Sequence, residues 1–239
     1  MTGTRTLYAR LSELPLDAAA LWLSGDELAA WTGMRSPRRK TTWLAGRIVA
    51  KRLLLELFAV ELHPLASARA DELHIESRSA RTGHGERPEV SVDGQVVPLA
   101  LSIAHTERGA LAAATLNTEL TLGVDLVTPT DAGQSLHWTF TEAERMWLAA
   151  STDHAHCAAR LWSLKEALYK ACQRGEGFAP RDIEVAPGQR IRYPQFAAHD
   201  LARLQSWRID GHLAAVAIVK HSGAAQLTND HGNLLLRAA

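Results

Sequence analysis

Trp162, Glu166 and Lys170 recur every four residues in Trp162-Ser163-Leu164-Lys165-Glu166-Ala167-Leu168-Tyr169-Lys170. That spacing sets them on one helix face, opposite a stripe of Leu161, Leu164 and Leu168. A carboxylate and an ammonium placed so could serve a metal ion and a phosphate. An ordinary i,i+4 surface pair, worth about 0.2–0.5 kcal/mol, is what the spacing alone favours. Asp125 stands in the apolar run Gly123-Val124-Asp125-Leu126-Val127. If buried there, an acid needs a cation, donors or a metal to offset the water it loses. Capping the turn before Pro129 is the plainer alternative. Arg38-Arg39-Lys40, followed by Leu44-Ala45-Gly46-Arg47, gathers cations at a helix start. Guanidinium forks and free helix N–H groups suit a phosphate, although a solvated helix face explains the same run. His105, in Ser102-Ile103-Ala104-His105-Thr106, falls at a strand end. Its imidazole could donate to a phosphate, since its charge changes near neutral pH; a lone histidine is more often structural.

The elements that must position these groups follow from periodicity and turn chemistry. Residues 7–11 read as a strand, 17–32 as a helix and 38–60 as a long helix with a cationic side. Short strands are expected at 74–75 and 89–92, and an apolar strand over 99–104. Residues 110–115 and 120–127 read as two strands around Asn117-Thr118-Glu119, which suggests a hairpin. Thr141 and Glu144 have capping-box spacing. Residues 158–172 form the clearest helix, and strands are expected at 183–185, 204–209 and 213–219. Asp210-Gly211 between the last two is a tight-turn signal. This is an α+β layout of two similar halves, each with helices followed by a small antiparallel sheet. The expected division is 1–108, 109–222 and a tail, 223–239.

Composition narrows the function classes. The chain has 239 residues, 46% hydrophobic and 22% charged, with 26 Lys+Arg against 26 Asp+Glu. A chain this long buries roughly 70% of its unfolded surface and needs no staples. Zero formal charge speaks against a nucleic-acid module, despite seven tryptophans and the Arg38-Arg39-Lys40 cluster. The two cysteines, Cys157 and Cys172, have no metal or disulfide spacing. The N-terminus lacks an uninterrupted apolar stretch, and no run approaches the ~20 residues of a membrane span. A soluble cytoplasmic protein is the expectation, with no nucleic-acid or membrane partner, and a monomer is its simplest state.

Taken in order, these motifs resemble the Sfp-type 4'-phosphopantetheinyl transferases. The resemblance runs through the Leu-Ala-Gly-Arg ending at Arg47, Gly85-Glu86-Arg87-Pro88, Ser102 to Thr106 with Gly109, and Gly123 to Val127. It continues through Phe140-Thr141 with Glu144 and through Trp162 to Lys170, followed by Gly175 and Gly177. It covers roughly residues 35 to 220, and Trp-x-x-Lys-Glu-x-x-x-Lys is its most specific part.

The resemblance implies a pseudo-twofold pair of α/β halves with coenzyme A between them. It implies transfer of the phosphopantetheine arm to a serine of an apo acyl or peptidyl carrier protein, releasing adenosine 3',5'-bisphosphate. The carrier could serve fatty acid, polyketide or peptide synthesis. Asp125 and Glu166 match carboxylates that hold Mg²⁺, with Mn²⁺ as a substitute. Glu166 is the implied general base, with Lys165 nearby for positioning. Lys170 matches the lysine at the diphosphate, His105 the histidine at the 3'-phosphate, and Arg39 and Arg47 the basic region that helps hold that phosphate. Two positions depart from the pattern: Val127 stands where an acid is usual, and Ala104 where a serine is usual. A catalytically weakened or inactive relative that binds coenzyme A or a carrier protein is therefore the alternative.

Overall fold

A computed structural model describes residues 3–78, 85–129, 139–172, 177–187, 191–194 and 201–220. The chain divides into two compact units, Met1–Thr118 and Glu119–Ala239. The tail over 223–239 and Gly175 lie outside the described residues.

In the first unit, strand β1 (Arg5–Arg10) leads to helices α1 (Gly25–Thr32) and α2 (Pro37–Val60). The sequence suggests a helix from residue 17, but the α-helix begins only at Gly25. Ser24 decides this. Its Oγ accepts from Glu27 N at 3.4 Å, while Glu27 Oε2 accepts from Ser24 N at 3.0 Å. That reciprocal box satisfies two free N–H groups and fixes the start. Residues before it form a single 3-10 turn, Ala19–Leu21. Ser36 caps α2, with Pro37 in the first turn, where its missing N–H costs nothing. Strands β2 (Leu73–Arg78), β3 (Gly85–Val92) and β4 (Gln95–Val96) form one antiparallel sheet, in that order. Strands β5 (Ala100–His105) and β6 (Gly109–Thr115) join β1 in a second, ordered β1-β6-β5.

The second unit runs β7 (Leu120–Val127), α3 (Glu142–Ala149), α4 (His154–Cys172), β8 (Leu201–Ile209) and β9 (His212–Lys220). Its sheet is ordered β7-β9-β8, antiparallel throughout. Asp210 and Gly211 both have positive φ, 48° and 77°, as the two-residue turn between β8 and β9 requires. Thr141 caps α3 in a second capping box with Glu144.

The expected hairpin around Asn117-Thr118-Glu119 does not form. β6 pairs with β1 and β5, and β7 pairs with β9. Every residue of β6 is buried, and so is most of β9. Each is the centre of its own sheet and needs a partner on both edges. The same pairing moves the division of the chain from 108/109, inside the β5–β6 hairpin, to just after Thr118. The architecture is mixed α+β with small antiparallel sheets. Among the described residues, no helix is long and apolar enough to cross a membrane.

Candidate functional site

The second unit assembles its site where α4 lies on β7. Gly123 permits the contact. A Cβ there would come within 1.8 Å of Ala167 O and 2.7 Å of Ala171 N. Helix backbone therefore rests on strand backbone, and the next two strand residues come within reach of α4. Lys170 Nζ donates to Val124 O at 3.0 Å and to Asp125 Oδ1 at 3.1 Å. It also lies 3.1 Å from Glu166 Oε1, one helical turn back. One ammonium thus holds a strand carboxylate and a helix carboxylate close together.

Burial sets the electrostatics. Asp125 is only 5% exposed, and its Oδ2 is buried with no hydrogen-bond partner. Loss of water raises its carboxyl, Lys170 pulls it back and Glu166 pushes it up, and together they leave it at about 7. Burial disfavours the Lys170 charge, but Glu166 and Asp125 outweigh that and hold its pKa above the ordinary lysine value. The lysine therefore stays cationic while two acids compete for its charge. An unpartnered carboxylate oxygen beside a second carboxylate is a hard oxygen donor set that suits Mg²⁺. Among the described residues, no group of three or more His, Cys, Asp or Glu is placed to hold a metal ion. Val127, two positions along from Asp125, instead packs with Ala159, Leu213 and Trp162.

Lys165 points elsewhere. The resemblance implies a positioning role for it near Glu166, but its ammonium is wholly buried. It lies 2.5 Å from Glu144 Oε2 and donates to Thr139 O and Pro180 O. Those contacts consume its donors, so it touches no part of the Asp125–Glu166–Lys170 cluster. Glu144, read from the sequence as a helix cap, does more than cap. It also accepts from Val185 N at 2.9 Å and is fully buried. Full burial of a capping acid demands a cation, and Lys165 supplies it.

The first unit gathers the basic candidates. Arg39 and Arg47 line a cavity of about 730 Å³, together with Arg35, Trp43, His74 and Ser77. Arg39 is exposed. Arg47 is 5% exposed; it donates to Ser77 Oγ at 2.9 Å, stacks over Trp43 and lies 3.1 Å from Glu27 Oε1. Glu27 also pairs with the buried Lys51. One buried carboxylate thus faces two cations, and with Asp26 and Glu76 also in the lining the cavity's three arginines meet three acids. His105 lies against α2, its Cδ2 3.4 Å from where a Cβ on Gly46 would be. It is exposed and is not among the cavity-lining residues. Arg38 pairs with Glu107 on the surface, as its plainer reading held.

The strand–helix contact thus gathers two carboxylates and one lysine in an α+β unit, an oxygen donor set that a cation could share. The matching family is narrower: residues 121–218 match the model of the 4'-phosphopantetheinyl transferase superfamily. That segment carries Asp125, Glu144, Lys165, Glu166 and Lys170. No curated protein matches the chain.

Proposed function

We propose that this protein moves the 4'-phosphopantetheine arm of coenzyme A onto a serine of an apo acyl or peptidyl carrier protein, releasing adenosine 3',5'-bisphosphate. The observation that carries the reading is the Asp125–Lys170–Glu166 cluster, which lies inside the matched segment.

Each residue then has a task. Lys170 offers a point charge to the diphosphate. It also fixes the Asp125 carboxylate, with one oxygen paired and the other free. Asp125 and Glu166 would hold Mg²⁺, or Mn²⁺ in its place. Bound there, the ion would draw charge from the phosphoryl oxygens as the bond to the nucleotide breaks. Glu166, whose side chain is 29% exposed, can meet an incoming serine hydroxyl and take its proton. Arg39 and Arg47 offer guanidinium groups that suit the 3'-phosphate, and His105 adds a further donor near α2. The apolar packing of Val127 favours a second reading, in which the protein binds coenzyme A or a carrier without turnover.

Mass spectrometry decides between them. Purified protein, coenzyme A, Mg²⁺ and apo-carriers of several types are expected to give a carrier heavier by one phosphopantetheine arm. Glu166→Gln is expected to lower kcat by two orders of magnitude or more, while coenzyme A still binds by calorimetry. Binding without any carrier modification, on carriers that a control transferase loads, would establish the second reading.

A further inference from the structure

A buried lysine ammonium is costly unless a counter-charge and acceptors surround it. Lys165 has both, and its partners come from separate segments. Thr139 precedes α3, Glu144 lies in its first turn, and Pro180 opens the 3-10 turn Pro180–Asp182. Glu144 in turn holds Thr141 N and Val185 N. The pair therefore pins the middle of α4 to two other stretches of chain, 139–144 and 180–185. The pin sits one residue before Glu166 and five before Lys170.

This placement answers a need that the α4–β7 contact leaves open. Gly123 fixes how closely α4 approaches β7, because Ala167 O and Ala171 N occupy the space a Cβ would take. A glycine offers no side chain to engage the helix, so it does little to stop α4 turning about its own axis. A turn of about 20° would carry the tip of a long side chain roughly 2 Å sideways and out of hydrogen-bond range. Lys170 depends on three contacts between 3.0 and 3.1 Å.

We propose that Glu144 and Lys165 are positioning residues: their buried ion pair sets the rotation of α4 so that Glu166 and Lys170 both face Asp125. The catalytic consequence rests on the transferase reading; the structural one does not.

The test uses the full chain with Glu144→Gln and Lys165→Met combined, so that no buried charge is left unpaired. Phe58→Leu, in the core of the first unit, serves as a comparison of similar stability. The first readout needs no activity: the ¹H–¹³C resonance of the Lys170 ε-methylene and its Overhauser contacts to Val124. The double variant is expected to shift that resonance and lose those contacts, and Phe58→Leu to leave them alone. The second readout is transfer, in conditions where both variants are folded. The double variant is expected to lower kcat by about tenfold or more, with the KM for the carrier unchanged. An unmoved Lys170 resonance in the folded double variant overturns the proposal, whatever the activity. A moved resonance with kcat equal to that of Phe58→Leu overturns its catalytic part. If the double variant does not fold, Glu144→Asp keeps the charge but shortens the reach, and the same resonance must still shift. Failure of the wild type to load any carrier counts against the transferase reading alone, since the resonance is read without substrate.

Discussion

Helices α2 and α4 reach their sheets through the same buried device, built twice from different residues. In the first unit Ser24 caps a helix whose Glu27 meets buried Lys51; that lysine donates to Trp22 O, and Glu27 accepts from Ile75 N. In the second, Thr141 caps, Glu144 meets Lys165, the lysine donates to Thr139 O, and Glu144 accepts from Val185 N. Each carbonyl lies two residues before its cap. The strand orders match as well, β1-β6-β5 against β7-β9-β8. The difference lies in what each helix adds. Four residues before its lysine, α2 carries Arg47, which shares Glu27 and lines a cavity. At the same offset α4 carries Leu161, a core residue. Past its lysine α4 presents Glu166 and Lys170 to Asp125, whereas β1, Arg-Thr-Leu-Tyr-Ala-Arg, offers no acid. One scaffold thus carries a buried arginine beside a cavity in one unit and a carboxylate pair in the other.

The sharpest way to break the comparison is at the glycines. Gly123→Ala is expected to be the most damaging single change, costing about 4–5 kcal/mol or more, because backbone cannot give way to a Cβ 1.8 Å from Ala167 O. Gly46→Ala meets only side chains, Ile103 Cγ2 at 3.1 Å and His105 Cδ2 at 3.4 Å. A helix gains up to ~1 kcal/mol from that exchange, so little net change is expected. Urea denaturation of both variants measures the contrast. Similar losses would mean that the close approach of α4 to β7 is not what holds the second unit together.

These two glycines also show what the sequence made legible. Both sit inside recognisable motifs, and the helix faces of Glu166 and Lys170 follow from spacing of four. Asp125 was legible as an acid in an apolar strand, which had to find a partner. Lys165 was not, because spacing places it beside Glu166 and says nothing of which way a long side chain turns. Only the fold brings Glu144 beneath it. The absent 117–119 hairpin has a related cause: two adjacent strands look alike whether they pair with each other or with distant strands. Nor did the sequence show that α1 is tied to α2, and α3 to α4, by a buried ion pair, since Lys51 and Lys165 lie 24 and 21 residues beyond their acids.

The repeated ion pair can be weighed by removing its acids. Glu27→Gln leaves two buried cations, Lys51 and Arg47, without a counter-charge; Glu144→Gln leaves one. Breaking a buried pair costs about 3–5 kcal/mol. Glu27→Gln is expected at the upper end of that range and Glu144→Gln at the lower, as read by chemical denaturation of each. The two costs would converge if Arg47 drew its stability from Ser77 and Trp43 rather than from Glu27.

The smallest effect separates the acids by pH. Burial raises the Asp125 carboxyl to about 7 in the folded protein, against an ordinary value near 3.8. Between those values the folded state holds a proton that the unfolded chain has released. The unfolded state then binds fewer protons, so the stability from this group declines as pH rises through that window and levels off above 7. Asp125→Asn removes the group and with it the decline. Lys170 keeps its charge throughout and retains Glu166, so its contribution stays constant across the window. With chelator present, the stability of Asp125→Asn relative to wild type is therefore expected to rise by on the order of 2–3 kcal/mol between pH 4.5 and pH 8. A difference that stays flat across that range would mean that Asp125 ionises as freely as a surface acid, and that α4 does not seal it from water.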